Sequence, residues 1–270
     1  MFGVGTLSSA GHQPVQFMVR SSNGGASWGS PVAVTPGLSR AGEFDPEQGS
    51  FVLDGVLGAR ADLTLAPSVD IANGAPTGTD ATNRIVLSYV AGTTATPHVE
   101  FTESSNGGTT WSTIRHIETA GDRGLYSAPA ISPNGSDVYV VYNAFTTPFR
   151  TNTTDPRALV SVVLHADVGS GGTGAFGSLH RVDSGDPRGS SANALTDEFL
   201  GDYIYAAATR TYGAAVWNDA RNASDCPAID AWRMSNATGG SVARPAPGTD
   251  CPATFGNSDI YGGSYADPTP

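Results

Sequence analysis

The sequence predicts an all-β chain of four-stranded antiparallel units, repeated as the blades of a β-propeller. Three observations carry this. The 270 residues include 34 Gly and 18 Pro but only 14% charged residues, a composition of short strands and tight turns. Period-two alternation of apolar and polar residues recurs along most of the chain. One octapeptide also occurs twice, as SSNGGASW at 21–28 and SSNGGTTW at 104–111, which marks a repeat architecture.

The elements follow in order. Residues 15–20 alternate and run into the first octapeptide, and 31–34 resume the alternation after it. Two alternating runs around an Asn-Gly turn predict a β-hairpin. Residues 98–102 and 114–117 flank the second copy in the same frame, with strands at 65–71 and 84–90 before it. One unit therefore reads strand, strand, strand, turn, strand, and such units arranged radially are propeller blades. The frame recurs at 126–131, 138–142 and 158–166, with 167–176 as a degraded turn. It recurs again at 201–206, 213–217 and 231–235, the last leading into 236–240. No segment reads as a helix. The first visible strands are third and fourth strands, so the chain is expected to begin mid-blade, with about three to four blades here and further blades outside it. Residues 1–240 form the blades, and 241–270 an extension that packs as a last strand or hangs free.

In the turn, Gly supplies the positive φ at little steric cost, and Ser and Asn bond the turn's own amides. Trp28 and Trp111, opening the fourth strands, are expected to fill the gaps between blades. Cys226 and Cys251, each within an Asp-Cys-Pro triplet, read as a disulfide, with two unbonded structural thiols as the alternative. Closing that loop contributes roughly 3 kcal/mol.

The formal net charge of −11 argues against nucleic acid and anionic membrane surfaces as partners. No apolar run is long enough for a membrane helix, so no membrane insertion is expected. All 14 basic residues are Arg. Codon usage in a GC-rich bacterial genome accounts for that; alternatively, the guanidinium fork is selected for gripping carboxylates.

The octapeptides fit the pattern S-x-D-x-G-x-[ST]-W with Asn23 and Asn106 at the Asp position. In this the chain resembles the sialidase-like Asp-box (bacterial neuraminidase repeat) β-propeller superfamily. Ser21, Gly25, Trp28, Ser104, Gly108 and Trp111 are the other matching positions. The runs 199–208 and 215–221 resemble blades of secreted bacterial proteins of that kind. The resemblance implies a secreted glycoside hydrolase acting on terminal sugars of glycoconjugates, a retaining exo-glycosidase if active. The alternative is a non-catalytic propeller that binds glycans or proteins at a cell surface.

Adjacent blade strands are antiparallel, so the loops opposite the octapeptides gather at one funnel. A sialidase there needs an Arg cluster for the substrate carboxylate, an acid/base Asp, and a Tyr nucleophile activated by Glu. The funnel offers Arg60, Arg123 and Arg221 for binding, with Asn143 and Asp219 beside them. Asp62, Glu198 and Tyr126 or Tyr203 supply the catalytic types. The arginine-isoleucine-proline motif of family sialidases is absent. Arg221 paired with Asp219 across a turn, and Asp202-Tyr203 capping a strand, are the structural alternatives. No cofactor or metal is expected. Asp183, Asp186, Asp197 and Glu198 offer oxygens of the kind that bind Ca²⁺, though such loops in acidic proteins are usually just solvated. The five His (12, 98, 116, 165 and 180) show no ligand spacing and read as surface or packing residues.

Overall fold

A computed structural model describes residues 1–11, 13–46, 49–150, 154–190 and 199–269. Among these the chain is all-β, with five antiparallel sheets. The first holds β1 (Phe2–Thr6), β2 (Pro14–Met18) and β3 (Val32–Ala33). The second holds β4 (Glu43–Asp45), β5 (Ser50–Leu53) and β6 (Val56–Arg60). The third is four-stranded: β7 (Ser68–Ile71), β8 (Ile85–Gly92), β9 (Pro97–Ser104) and β10 (Arg115–His116). The fourth holds β11 (Arg123–Ile131), β12 (Asp137–Phe145), β13 (Leu159–Gly169), β14 (Gly172–Thr173) and β15 (Gly177–Asp183). The fifth holds β16 (Tyr205–Ala208), β17 (Tyr212–Asp219) and β18 (Asp259–Ala266).

The sheets pack on one another through three apolar clusters. Leu65, Leu87 and Tyr89 of the third-sheet region meet Phe2 and Val34. Val86, Val90, Val99 and Phe101 meet Ile131, Val138, Val140 and Tyr142 of the fourth sheet. Leu125, Val141, Phe145 and Leu159 meet Leu53 and Val56 of the second sheet and Trp217 of the fifth. β12 thus carries core on both faces, which is why its sequence DVYVVYNAF is almost continuously apolar rather than alternating. In β11 the register slips between Gly124 and Tyr126. That bulge turns the consecutive Leu125 and Tyr126 into the same cluster.

The two octapeptides fold as near copies. Ser21 Oγ accepts from the Gly25 amide at 2.8 Å, and Ser104 Oγ from the Gly108 amide at 2.8 Å. Asn23 Oδ1 accepts from the Ser27 amide and Asn106 Oδ1 from the Thr110 amide, both at 2.9 Å. The Gly pairs sit at φ 68 and 89 and at φ 66 and 84. Trp111 meets the Phe2 ring edge-on at 5.9 Å, between the first and third sheets. Trp28 is 49% exposed and fills no such gap, because its ring lies over Gly25 of its own turn. Neither Trp opens a strand, since β3 and β10 begin after them.

Three expectations are corrected. β1 pairs with β2, so residues 15–20 do not begin a half-blade, and β4 to β6 form a sheet the alternation did not reveal. Residues 231–235 are not a strand: they lie in helix α1 (Pro227–Ala237). Pro227 opens that helix at the position where a missing amide is harmless. Ile229, Trp232 and Arg233 then fall on one buried face, and Ala, Arg and Met favour helix over strand. The place beside β17 is taken instead by β18, which pairs along the whole of β17 from Tyr212 to Asp219. A short turn α2 (Pro247–Asp250) precedes Cys251. Cys226 and Cys251 are joined by a disulfide with Cα atoms 5.2 Å apart, tying the start of α1 to the end of α2. Among the described residues no helix is long and apolar enough to cross a membrane.

Candidate functional site

The edge strands β7, β11 and β16 border a cleft of about 290 Å³. Its lining includes Leu63, Tyr89, Tyr126, Asp202, Tyr203 and Tyr205. A second groove of about 370 Å³ shares Ser68, Val69 and Tyr205 with it and continues along Asp70 and Ile131. Three of the four catalytic candidates, Tyr126, Tyr203 and Asp62, fall in or beside this cleft. Glu198 and Asp197 lie outside the described residues.

Arg60 ends β6 and reaches across to the segment before β16. Its guanidinium stands 3.3 Å from Asp62 and 3.9 Å from Asp202, and 6.0 Å from the Phe199 ring. Tyr126 donates its hydroxyl to the Arg60 carbonyl at 2.7 Å. Burial pushes that hydroxyl far above the ordinary tyrosine range; the charge of Asp202 adds to this, Arg60 opposes it and Asp62 adds again. Asp202 is itself tucked in, and its Oδ1 has no hydrogen-bond partner among the described residues. At the rim, Tyr203 and Tyr205 are 63% and 61% exposed. Their rings lie nearly parallel, 6.4 Å apart.

The remaining candidates do not join this group. Arg123 donates to both carboxylate oxygens of Asp54 and to the Thr147 carbonyl at 2.9 Å, over the Phe145 ring. Arg157 joins from the other side, its Nη2 2.6 Å from the Asp54 carbonyl. Arg221 bonds Asp219 through Nε at 2.8 Å and lies over the Tyr261 ring, the turn pairing weighed from sequence. Asn143 is fully buried and donates to Ser161 at 2.7 Å and to the Asn218 carbonyl. It joins the fourth sheet to the fifth. Each of the three candidate arginines therefore holds an Asp.

The acidic loop does not gather into a cation cage among the described residues. Asp183 accepts from the Gly185 amide, and Asp186 accepts from the Arg188 amide and guanidinium. The histidines are less ordinary than their spacing suggested. Pairing of β9 with β10 stacks His98 on His116 at 3.9 Å, where each also meets a glutamate, Glu118 at 2.7 Å and Glu100 at 3.2 Å. His165 lies among three aspartates. His12 lies outside the described residues.

Two participants were overlooked in the sequence. Asp54-Gly55 between short apolar runs is a two-residue hairpin signal, and φ of 55 and 66 there bear it out. Tyr205 stands two residues from Tyr203, a spacing that puts both on one side of an extended segment.

No family model and no curated protein sequence matches the chain. Among solved structures it is similar to a leech intramolecular trans-sialidase complexed with 2,7-anhydro-Neu5Ac. The identity there is 12% and the TM-score 0.27, over 76% of this chain and 33% of that one. It is similar also to the intramolecular trans-sialidase from Ruminococcus gnavus in complex with oseltamivir carboxylate. There the identity is 11% and the TM-score 0.28, over 76% of this chain and 46% of that one. The chain thus spans less than half the length of either.

Proposed function

We propose that the chain is the sugar-holding part of a sialidase-like, Asp-box glycoside hydrolase fold, secreted, with the cleft bordered by β7, β11 and β16 as its ligand site. The observation that carries this is the pair of parallel, exposed rings of Tyr203 and Tyr205 on the cleft. A pyranose has an apolar C–H face that lies against an aromatic ring, and the tyrosine hydroxyls at the rim can hydrogen-bond its hydroxyls. Holding is favoured over cleavage because Arg60, Arg123 and Arg221 each already engage an Asp. The two matched octapeptide turns support the family reading, and the disulfide supports an oxidising, extracellular setting.

Hydrolysis at the same cleft is a second reading, favoured by one observation: Tyr126, Arg60, Asp62 and Asp202 stand together there. Those are residue types a retaining sialidase uses. Against it, burial pushes the Tyr126 hydroxyl up, and that hydroxyl donates to a backbone carbonyl rather than to a base. Calorimetric titration with 3′-sialyllactose and lactose tests the proposal. Saturable binding that weakens at least tenfold in Tyr203→Ala/Tyr205→Ala supports it. Absence of saturable binding, or binding indifferent to both substitutions, overturns it. Turnover of a fluorogenic sialoside, lost in Tyr126→Phe, moves the assignment to the second reading.

A further inference from the structure

The pairing of β12 with β13 sets Asp137 directly opposite Asp167 and Tyr139 directly opposite His165. Residues two apart share a face, so these four side chains form one square on the side of the fourth sheet that packs against the fifth. Gly213 of β17 admits the Tyr139 ring, which a Cβ at that position would strike. Beyond β18 the chain delivers Asp267, whose amide donates to the Thr211 carbonyl at 2.9 Å. Its carboxylate reaches within 3.8 Å of His165 Nε2, while Asp137 stands 3.3 Å from the same nitrogen. Thr269 donates its hydroxyl to Asp167 and lies 3.2 Å from Asp267.

Two like charges facing across a ladder are destabilising, and here a third carboxylate is added. Among the described residues no arginine bonds any of the three, and His165 can neutralise at most one of them. The second, independent observation is Tyr139. Its side chain is 1% exposed, yet its hydroxyl has no hydrogen-bond partner among the described residues. Its ring lies 4.9 Å from that of His165. A group that can donate or accept thus stands unpaired beside the carboxylates.

We propose that Asp137, His165, Asp167 and Asp267 bind one divalent cation, Mn²⁺ or Zn²⁺, that clasps the end of β18 to the fourth sheet. One donor atom from each of the four lies within 4.8 Å of all the others. Ligands on opposite sides of an ion with bonds of about 2.1 to 2.3 Å stand about 4.2 to 4.6 Å apart, so a small inward shift of these side chains lets one ion reach all four. An imidazole nitrogen among carboxylates suits Mn²⁺ or Zn²⁺ better than Ca²⁺, which takes oxygen ligands. The Tyr139 hydroxyl then serves as a hydrogen-bond partner for a ligand carboxylate or for water on the ion. This site is separate from the tyrosine cleft and does not depend on the glycan reading.

The test uses the whole chain, stripped with EDTA and titrated by calorimetry with MnCl₂, ZnCl₂ and CaCl₂, with melting curves at each point. One ion of Mn²⁺ or Zn²⁺ per chain, with a Tm rise of several degrees, is expected. Asp167→Asn/Asp267→Asn keeps an acceptor oxygen at each position while removing two like charges, so it should melt no lower than the metal-free protein and lose binding at least a hundredfold. No Mn²⁺ or Zn²⁺ uptake at millimolar concentration overturns the proposal. So does uptake unchanged in the double variant, or preference for Ca²⁺.

Discussion

Replacing Asp54 by Asn separates structural from ligand-gripping roles for Arg123. Asp54 is 1% exposed, both its carboxylate oxygens accept from Arg123, and Arg157 Nε stands 3.7 Å away. Asn tolerates the left-handed conformation that Asp54 adopts, so the β5–β6 turn keeps its shape while the negative charge disappears. The buried Arg123 guanidinium is then left beside a neutral amide. Removing one partner of a buried ion pair costs about 3 to 5 kcal/mol. At about 2 to 4 °C per kcal/mol for a chain of this size, Tm falls by about 10 °C. Calorimetric melting at neutral pH reads the change directly. Adding Arg123→Met to Asp54→Asn should cost less than the sum of the single losses, since it removes one stranded charge. A Tm drop under about 2 °C, with sialyllactose binding lost instead, refutes the reasoning and returns Arg123 to the ligand site.

Two further outcomes follow from the same contacts. Burial raises the hydroxyl of Tyr142 to about 12 from an ordinary value of 10, and Tyr89 and Tyr126 move the same way. The folded chain keeps these protons where the unfolded chain loses them, so the stability they contribute is complete below pH 10 and lost as pH rises towards 12. The urea midpoint should fall steeply in that window and less so in Tyr142→Phe; a flat midpoint contradicts the assignment. Trp111→Ala, which vacates the contact with Phe2, should cost about 2 kcal/mol, and the exposed Trp28→Ala under about 0.5 kcal/mol. Equal losses in urea titrations would show that both rings bridge sheets.

The strands legible in the sequence were those with a periodic signature. The hairpin around 104–111 and the both-faces-buried run of β12 were readable because burial writes itself into alternation or continuous apolarity. β4 to β6 were not, because β5 and β6 bury consecutive residues without alternation, and their hairpin rests on Asp54-Gly55 alone. Helix α1 was hidden by expectation of a repeat: Trp232 and Met234 fit alternation as well as they fit a helical face. At the cleft, residue types were legible but pairing was not. Whether Arg221 reaches a ligand or folds back on Asp219 is decided by a two-residue turn, and Arg123 by a carboxylate 69 positions away. The cluster around His165 was invisible because it depends on the register of β12 against β13 and on where β18 ends.

The paired turns also set a chemical clock. Asn23-Gly24 and Asn106-Gly107 place an amide side chain before a residue with nothing to shield its nitrogen, the arrangement in which Asn converts through a cyclic imide with release of ammonia. Where the imide opens to ordinary aspartate, the new carboxylate still accepts from the Ser27 or Thr110 amide. The neighbouring hydroxyl, which now accepts from Nδ2 at 2.8 Å, need only swing its proton round to donate. Opening of that kind leaves the loop's shape intact and registers as one added negative charge per site; opening to isoaspartate adds the same charge but lengthens the backbone at the corner by one methylene, so the chain drifts acidic by either route.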